Sequence, residues 1–364
     1  MKSSILIIAL LFLAACAQNT EKIKIGVSEP FTGPPAFIGE RIKNGIELAF
    51  KELPMEDQSQ IELIYEDDGC TGKQALTAMQ KLTSVDKIDY LLGPTCNTAA
   101  VPTIDILKES GTIYISTGVI GEKFASAGEH HFTLQPRVKD LMYKLADYAY
   151  DVKGARTMSI FHLNEEFGQE SALHFGNRFT ERGGRIVAKE DFAQTDNDFR
   201  TQISKLKEQP VDGILAVSYG SWLINQLKQM NELGLKTQLY GPVPIEDPAL
   251  IKGTDELAEG IIYSYPDENP KTLKQLEFDK NYKENYNAEG EIYARMGYDS
   301  FAVLWDAVKK CNNEKACVQK ELSRLKNHDG AGGLLSVDQE GIGKRNILIK
   351  MIKNGKFVYA EESK

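Results

Sequence analysis

Apolar and polar positions along the chain alternate between two periods. Short β-branched or aliphatic runs are each followed by a longer stretch in which apolar residues recur three and four apart. Residues 23–28 (IKIGVS) predict a strand. Residues 39–53 predict a helix, with Ile42, Ile46, Leu48, Ala49 and Leu53 on or near one face. Strands over 61–65, 88–92 and 112–116 follow, with helices over 73–85 and 98–110 between them. This βαβα order demands a parallel sheet with right-handed crossovers. The pattern then repeats: strands over 157–162, 185–190, 213–218 and 238–240 interleave with helices over 139–152, 167–182, 198–207 and 221–233. Residues 273–325 read as mostly helical. The tail, 346–353 and 356–359, reads as a hairpin about the turn dipeptide Asn354-Gly355.

Two successive doubly wound blocks predict two α/β lobes. The turn-rich stretches 133–137 and 265–270 join them. Open α/β sheets bind ligands beyond the carboxyl ends of their strands, so two facing sheets make a cleft lined from both sides. A length of 364 residues suits two domains.

The N-terminus belongs to export rather than to the fold. Lys2 precedes an uninterrupted apolar run over 5–15. That run is too short for the ~20 residues of a membrane-spanning helix. It ends in Leu13-Ala14-Ala15-Cys16, and small residues before a cysteine resemble a bacterial lipobox. On that reading 1–15 is a signal peptide, Cys16 becomes the lipid-modified N-terminus, and 16–22 is a polar tether. The alternative is an ordinary signal peptide cut near Ala15. Four further cysteines, Cys70, Cys96, Cys311 and Cys317, can form two disulfides in three pairings. The simplest joins Cys70 to Cys96 and Cys311 to Cys317. A zinc site is the rival, but paired CxxC spacing is missing and no histidine lies close in sequence.

Charge narrows the partners. With 43 basic and 52 acidic residues the formal net charge is -9, which argues against a nucleic-acid partner. Catalytic signatures are missing as well: there is no GxxxxGK[ST] loop, no GxGxxG opening the first helix, no HExxH and no GxSxG. No cofactor or metal is expected. Of the five histidines, His162 ends a predicted strand and so points toward a cleft, though a structural role suits it better.

Small polar residues and flexible backbone sit instead at the strand ends. The loops are Glu29 to Pro35, Gly93-Pro94-Thr95-Cys96-Asn97-Thr98 and Ser116-Thr117-Gly118-Val119-Ile120-Gly121. Free N–H groups at a helix N-terminus, hydroxyls and an amide suit an anionic group. Asn97 and Thr98 also suit plain helix capping. The second block brings aromatics to its strand ends: Phe167, Tyr219 and Trp222.

These residues resemble the periplasmic branched-chain amino-acid (leucine/isoleucine/valine) binding proteins of the type I periplasmic-binding-protein fold. The likeness runs through Ile25-Gly26-Val27, Thr32-Gly33-Pro34, Tyr65-Glu66-Asp67-Asp68 and Lys73-Gln74-Ala75. It continues through Gly93-Pro94-Thr95-Cys96, Phe167-Gly168, Gly234 to Gln238, Tyr240-Gly241-Pro242 and Tyr298-Asp299-Ser300. The resemblance implies an α/β fold of two doubly wound parallel-sheet lobes joined by three crossovers. Lobe 1 would take 23–137 and 268–345, and lobe 2 138–267 and 346–364. It implies the Cys70–Cys96 pair and a small Cys311–Cys317 loop. It also implies a monomer serving an importer with separate ABC permease and ATPase subunits.

The implied ligand set is Phe37, Ile38, Asn97, Thr98, Thr117, Gly118, Val119 and Ile120 from the first lobe. The second lobe adds Phe167, Tyr219, Trp222, Val243 and Glu246. The amino-acid grip carries over in part. One family hydroxyl falls at Asn97 and the second near Ile120, which cannot donate. The glutamate that takes the α-ammonium falls near Val243, with Glu246 and Asp247 three and four residues on. The family tyrosine is Tyr219. An amino acid, a related small carboxylate, an aromatic acid, a urea-like amide or a short peptide fits this set. The same fold could instead serve a ligand-sensing or envelope-interaction lipoprotein.

Overall fold

A computed structural model of the chain describes residues 21–118, 121–125, 127–267 and 271–360. The first sheet has five strands: β1 (Ile23–Glu29), β2 (Ile61–Asp67), β3 (Tyr90–Leu92), β4 (Ile113–Ser116) and β5 (His131–Thr133). They lie parallel in the order β2-β1-β3-β4-β5. The second sheet takes β6 (Thr157–Leu163), β7 (Arg185–Phe192), β8 (Gly213–Val217), β9 (Gln238–Gly241) and β10 (Ile262–Pro266). A small third sheet follows in the chain, made of β11 (His328–Gly330), β12 (Gly333–Val337) and β13 (Gly343–Lys344). The last strands, β14 (Ile347–Lys353) and β15 (Lys356–Tyr359), return to the second sheet, whose order is β15-β14-β10-β9-β8-β6-β7. β14 runs antiparallel to β10.

Parallel strands covered on both faces need continuous apolar runs rather than alternation. β8 (GILAV) is buried at every position, and so are β3 and β4. Two α/β sheets of this kind are the two doubly wound lobes that the alternating pattern predicts.

The late helical section returns to the first lobe through one close helix pair. Helix Ala36–Lys51 packs on helix Ile292–Lys310, and two glycines set the approach. A Cβ on Gly45 would lie 1.9 Å from the Ala294 carbonyl oxygen, and one on Gly297 would lie 2.1 Å from that of Ile42. Both disulfides of the local pairing are present. Cys70–Cys96 ties the loop after β2 to the loop after β3, with Cα atoms 5.5 Å apart. Cys311–Cys317 closes a short loop.

Several elements are absent from the sequence-based expectation. β5 and β10 arise beside stretches that read as turn-rich linkers, and β11–β13 fall where no strand is predicted. These strands are short, and β10 is buried along its whole length, so it carries no period-two signal. The helix predicted over 98–110 is broken. Asn97–Ala100 and Ile104–Ser110 flank a tighter turn, Val101–Thr103, where Pro102 removes a backbone donor.

Candidate ligand cavity between the lobes

The loops beyond β3 and β4 approach each other closely. A Cβ on Gly118 would fall 2.1 Å from the Thr95 carbonyl oxygen, so glycine there lets the two loops touch. Asn97 is buried, and its Oδ1 accepts from the Gly121 N–H at 3.1 Å. Across the gap, the carboxyl ends of β6, β8 and β9 bring up Glu165 and Phe167, Tyr219, and Val243 with Pro244. Helix Ile292–Lys310 adds Tyr293 and Met296 from the first lobe. Together with Ile38, Thr95 and the Cys70–Cys96 disulfide, these residues line a cavity of about 60 Å³. At about 10–15 Å³ per water-sized site, that is room for several waters or a small organic group.

Glu165 is the most connected polar group of the cavity. It caps helix Glu166–Glu181, accepting from the Phe167 N–H at 3.1 Å and the Gly168 N–H at 2.7 Å. Thr98 Oγ1 donates to its Oε2 at 2.6 Å, a hydrogen bond that spans the two lobes. Desolvation pushes the Glu165 carboxyl upward, against the pull of those three hydrogen bonds. The Tyr219 hydroxyl lies 3.9 Å from Cys70 Sγ, and burial raises its pKa well above the usual phenol value, so it stays a neutral phenol.

Six residues of the predicted set line the cavity: Ile38, Asn97, Gly118, Phe167, Tyr219 and Val243. The others stand elsewhere. Thr98 acts from behind, through Glu165. Thr117 turns inward and donates to the buried Glu29. Phe37 packs edge-on against Tyr293 at 6.0 Å, with the Arg41 guanidinium 5.2 Å over its ring. Trp222 supports Tyr219 from the protein side, at 5.3 Å between centroids. Val119 and Ile120 fall outside the described residues, as does Cys16.

Glu246 needs a correction as the substitute ammonium partner. The turn Val243–Ile245 carries it out of the cavity into a wider charged groove. There the Tyr263 hydroxyl donates to its Oε2 at 2.7 Å and Lys350 Nζ at 2.6 Å, so its charge is already compensated. Asp247 caps helix Pro248–Thr254 through the Ala249 N–H.

Thr95, from a strand-end loop singled out in the sequence, also lines the cavity, as do Glu165, Pro244, Tyr293 and Met296, which were not anticipated. A weak signal existed for Glu165, an acidic residue just before a predicted helix and beyond a strand end. Tyr293 and Met296 lie three apart on helix Ile292–Lys310, within the stretch read from sequence only as mostly helical.

Two α/β lobes that close on a shared small cavity define a solute-binding protein. The model of the Periplasmic binding protein family matches residues 22–355, and the chain belongs to that family. The family's members bind solutes rather than transform them, so this protein is not an enzyme. The chain is 22% identical over 335 residues to the leucine-, isoleucine-, valine-, threonine- and alanine-binding protein of Pseudomonas aeruginosa, covering 90% of this chain and 89% of that one. Its structure is similar to a leucine-binding protein from Thermotoga maritima, with TM-score 0.88, 22% identity and coverage of 93% and 98%. It is also similar to an ABC-transporter solute-binding protein of R. palustris in complex with benzoate, with TM-score 0.85, 19% identity and coverage of 93% and 95%.

Proposed function

We propose that this chain is the extracytoplasmic receptor of an ABC importer, capturing a small solute between its lobes and presenting it to permease and ATPase subunits. One observation carries the reading: a cavity lined from both lobes and bordered by the Thr98–Glu165 hydrogen bond between them. A solute that touches both walls favours the closed arrangement by its differential contacts, which is the signal a permease can read. The receptor works as a monomer. Lipid on Cys16 holds it at the membrane surface, with 16–22 as tether and the lobes divided as 23–137 with 268–345 and 138–267 with 346–364. Ile38, Asn97, Gly118, Phe167, Tyr219 and Val243 contact the solute, which is an amino acid or a related small carboxylate or amide.

Thermal-shift screening of the soluble chain against such solutes tests this. A binder raises the melting temperature with concentration as mass action requires. Tyr219→Ala abolishes that rise while the unliganded protein still unfolds in one cooperative transition. A rise that persists unchanged in Tyr219→Ala would place the solute elsewhere.

A further inference from the structure

Among the described residues lining the cavity, Glu165 is the one ionisable carboxylate, and lysine, arginine and histidine are all missing. Arg41 and Lys123 stand outside the lining and are paired with carboxylates. Arg41 pairs with Glu291 at 2.9 Å and Asp247 at 3.7 Å, and Lys123 with Glu166 at 3.1 Å. A carboxylate solute would therefore enter beside a like charge and find no cation to compensate it. The aromatic faces of Phe167, Tyr219 and Tyr293 on the same wall set attract a cation instead.

Glu165 also has capacity to spare. An ionised carboxylate offers about four acceptor directions. Oε2 accepts from the Phe167 N–H and Thr98 Oγ1, whereas among the described residues Oε1 accepts only from the Gly168 N–H. One direction on Oε1 remains for a donor in the cavity. Burying an ammonium there offsets the desolvation of both charges, while a buried carboxylate without a partner is costly.

Resting on the solute-binding reading above, we propose that Glu165 selects a solute with a cationic nitrogen on a small apolar body, and that a carboxylate on the solute is dispensable. This places the charge-reading residue at the start of helix Glu166–Glu181, on the wall opposite Asn97. Thr95 and the Asn97 side-chain amide then serve neutral polar ends.

The test uses matched probes that differ at one group: alkylamines, the corresponding alcohols and alkanoates, amino acids with their 2-hydroxy-acid counterparts, and benzoate. Binding is measured by titration calorimetry on the folded mature chain and on Glu165→Gln. Probes with a protonated nitrogen bind, and replacing that nitrogen by hydroxyl costs at least about tenfold. Glu165→Gln collapses this amine-to-alcohol ratio, while Thr98→Val, which removes the inter-lobe hydrogen bond and keeps the carboxylate, preserves it. Should Glu165→Gln fail to fold, Glu165→Asp lowers the ratio by shortening the reach of the charge. Alkanoates or benzoate binding as tightly as the amines, or an unchanged ratio in Glu165→Gln, overturns this inference and leaves solute capture standing. Failure of every probe class to bind overturns both.

Discussion

Glu165, Asn97 and Tyr219 show how single side chains are bound into more than one task. Asn97 holds the Gly121 N–H, so its oxygen fixes the loop after β4 while its amide nitrogen remains for a solute. Asn97→Ala is therefore expected to weaken solute affinity at least about tenfold, because a buried N–H loses its acceptor as well. The unliganded chain also melts lower, because the buried Gly121 N–H loses its acceptor whether or not solute is present, and calorimetry alongside thermal unfolding separates the two. The residue scale is also where the sequence was least legible. The family positions for the amino-acid grip were identifiable, and Val243 does line the cavity. The transfer of charge to Glu165 was not, because nothing in linear spacing shows that the Thr98 hydroxyl meets it. Glu246 was misplaced for the same reason: its partner Lys350 lies 104 residues away in the chain.

A second residue-scale prediction concerns pH. Asp68 is buried behind the cavity loops, accepts from the Cys70 N–H at 2.8 Å and from Ser28 Oγ at 3.2 Å, and is pushed up to about 6 chiefly by desolvation. Its neighbour Glu29 is likewise raised by burial and by the Asp68 charge. The folded-state value lies above the ordinary 3.8, so the folded chain holds a proton that the unfolded chain has already released. This group's contribution to stability is thus present at low pH and lost as pH rises from about 4 to 6. Asp68→Asn removes that component and flattens the melting temperature across the window. An unaltered slope would show that Asp68 does not carry it.

At the scale of elements, the packing of helix Ala36–Lys51 on helix Ile292–Lys310 anchors the returning section beside the cavity wall. Gly45→Ala forces a methyl group against the Ala294 carbonyl and Gly297→Ala one against that of Ile42. Each is expected to destabilise the chain by about 1–3 kcal/mol through overpacking, read by chemical denaturation. Because Tyr293 and Met296 share the second helix, Gly297→Ala also weakens solute binding. Long amphipathic helices were legible from their period, and β1 and β8 from β-branched or aliphatic runs set between such helices. β5 and β10 were not, since short buried strands beside turn residues offer no alternation to read. The local disulfide pairing was legible because short loops favour it, and both bridges form.

At the scale of the whole molecule, polar contacts tie the lobes at two lips. One lip holds Thr98 on Glu165, the Glu122 N–H on Glu170 at 3.0 Å and Lys123 on Glu166. The other holds Arg41 near Asp247 at 3.7 Å. Exposed polar contacts such as Lys123–Glu166 contribute little each, so a solute that bridges the walls can decide the balance between open and closed. Glu170→Ala is expected to speed solute release severalfold, with a smaller effect on association, because it removes a contact between the two lips. Stopped-flow measurement of both rates checks it.

The central claim, one solute enclosed between two moving lobes, is tested most directly by small-angle X-ray scattering with and without a saturating binder. The account predicts that the radius of gyration falls on binding in the native chain and stays at its unliganded value in Tyr219→Ala. Saturation of the native chain without any change in its radius of gyration would contradict it.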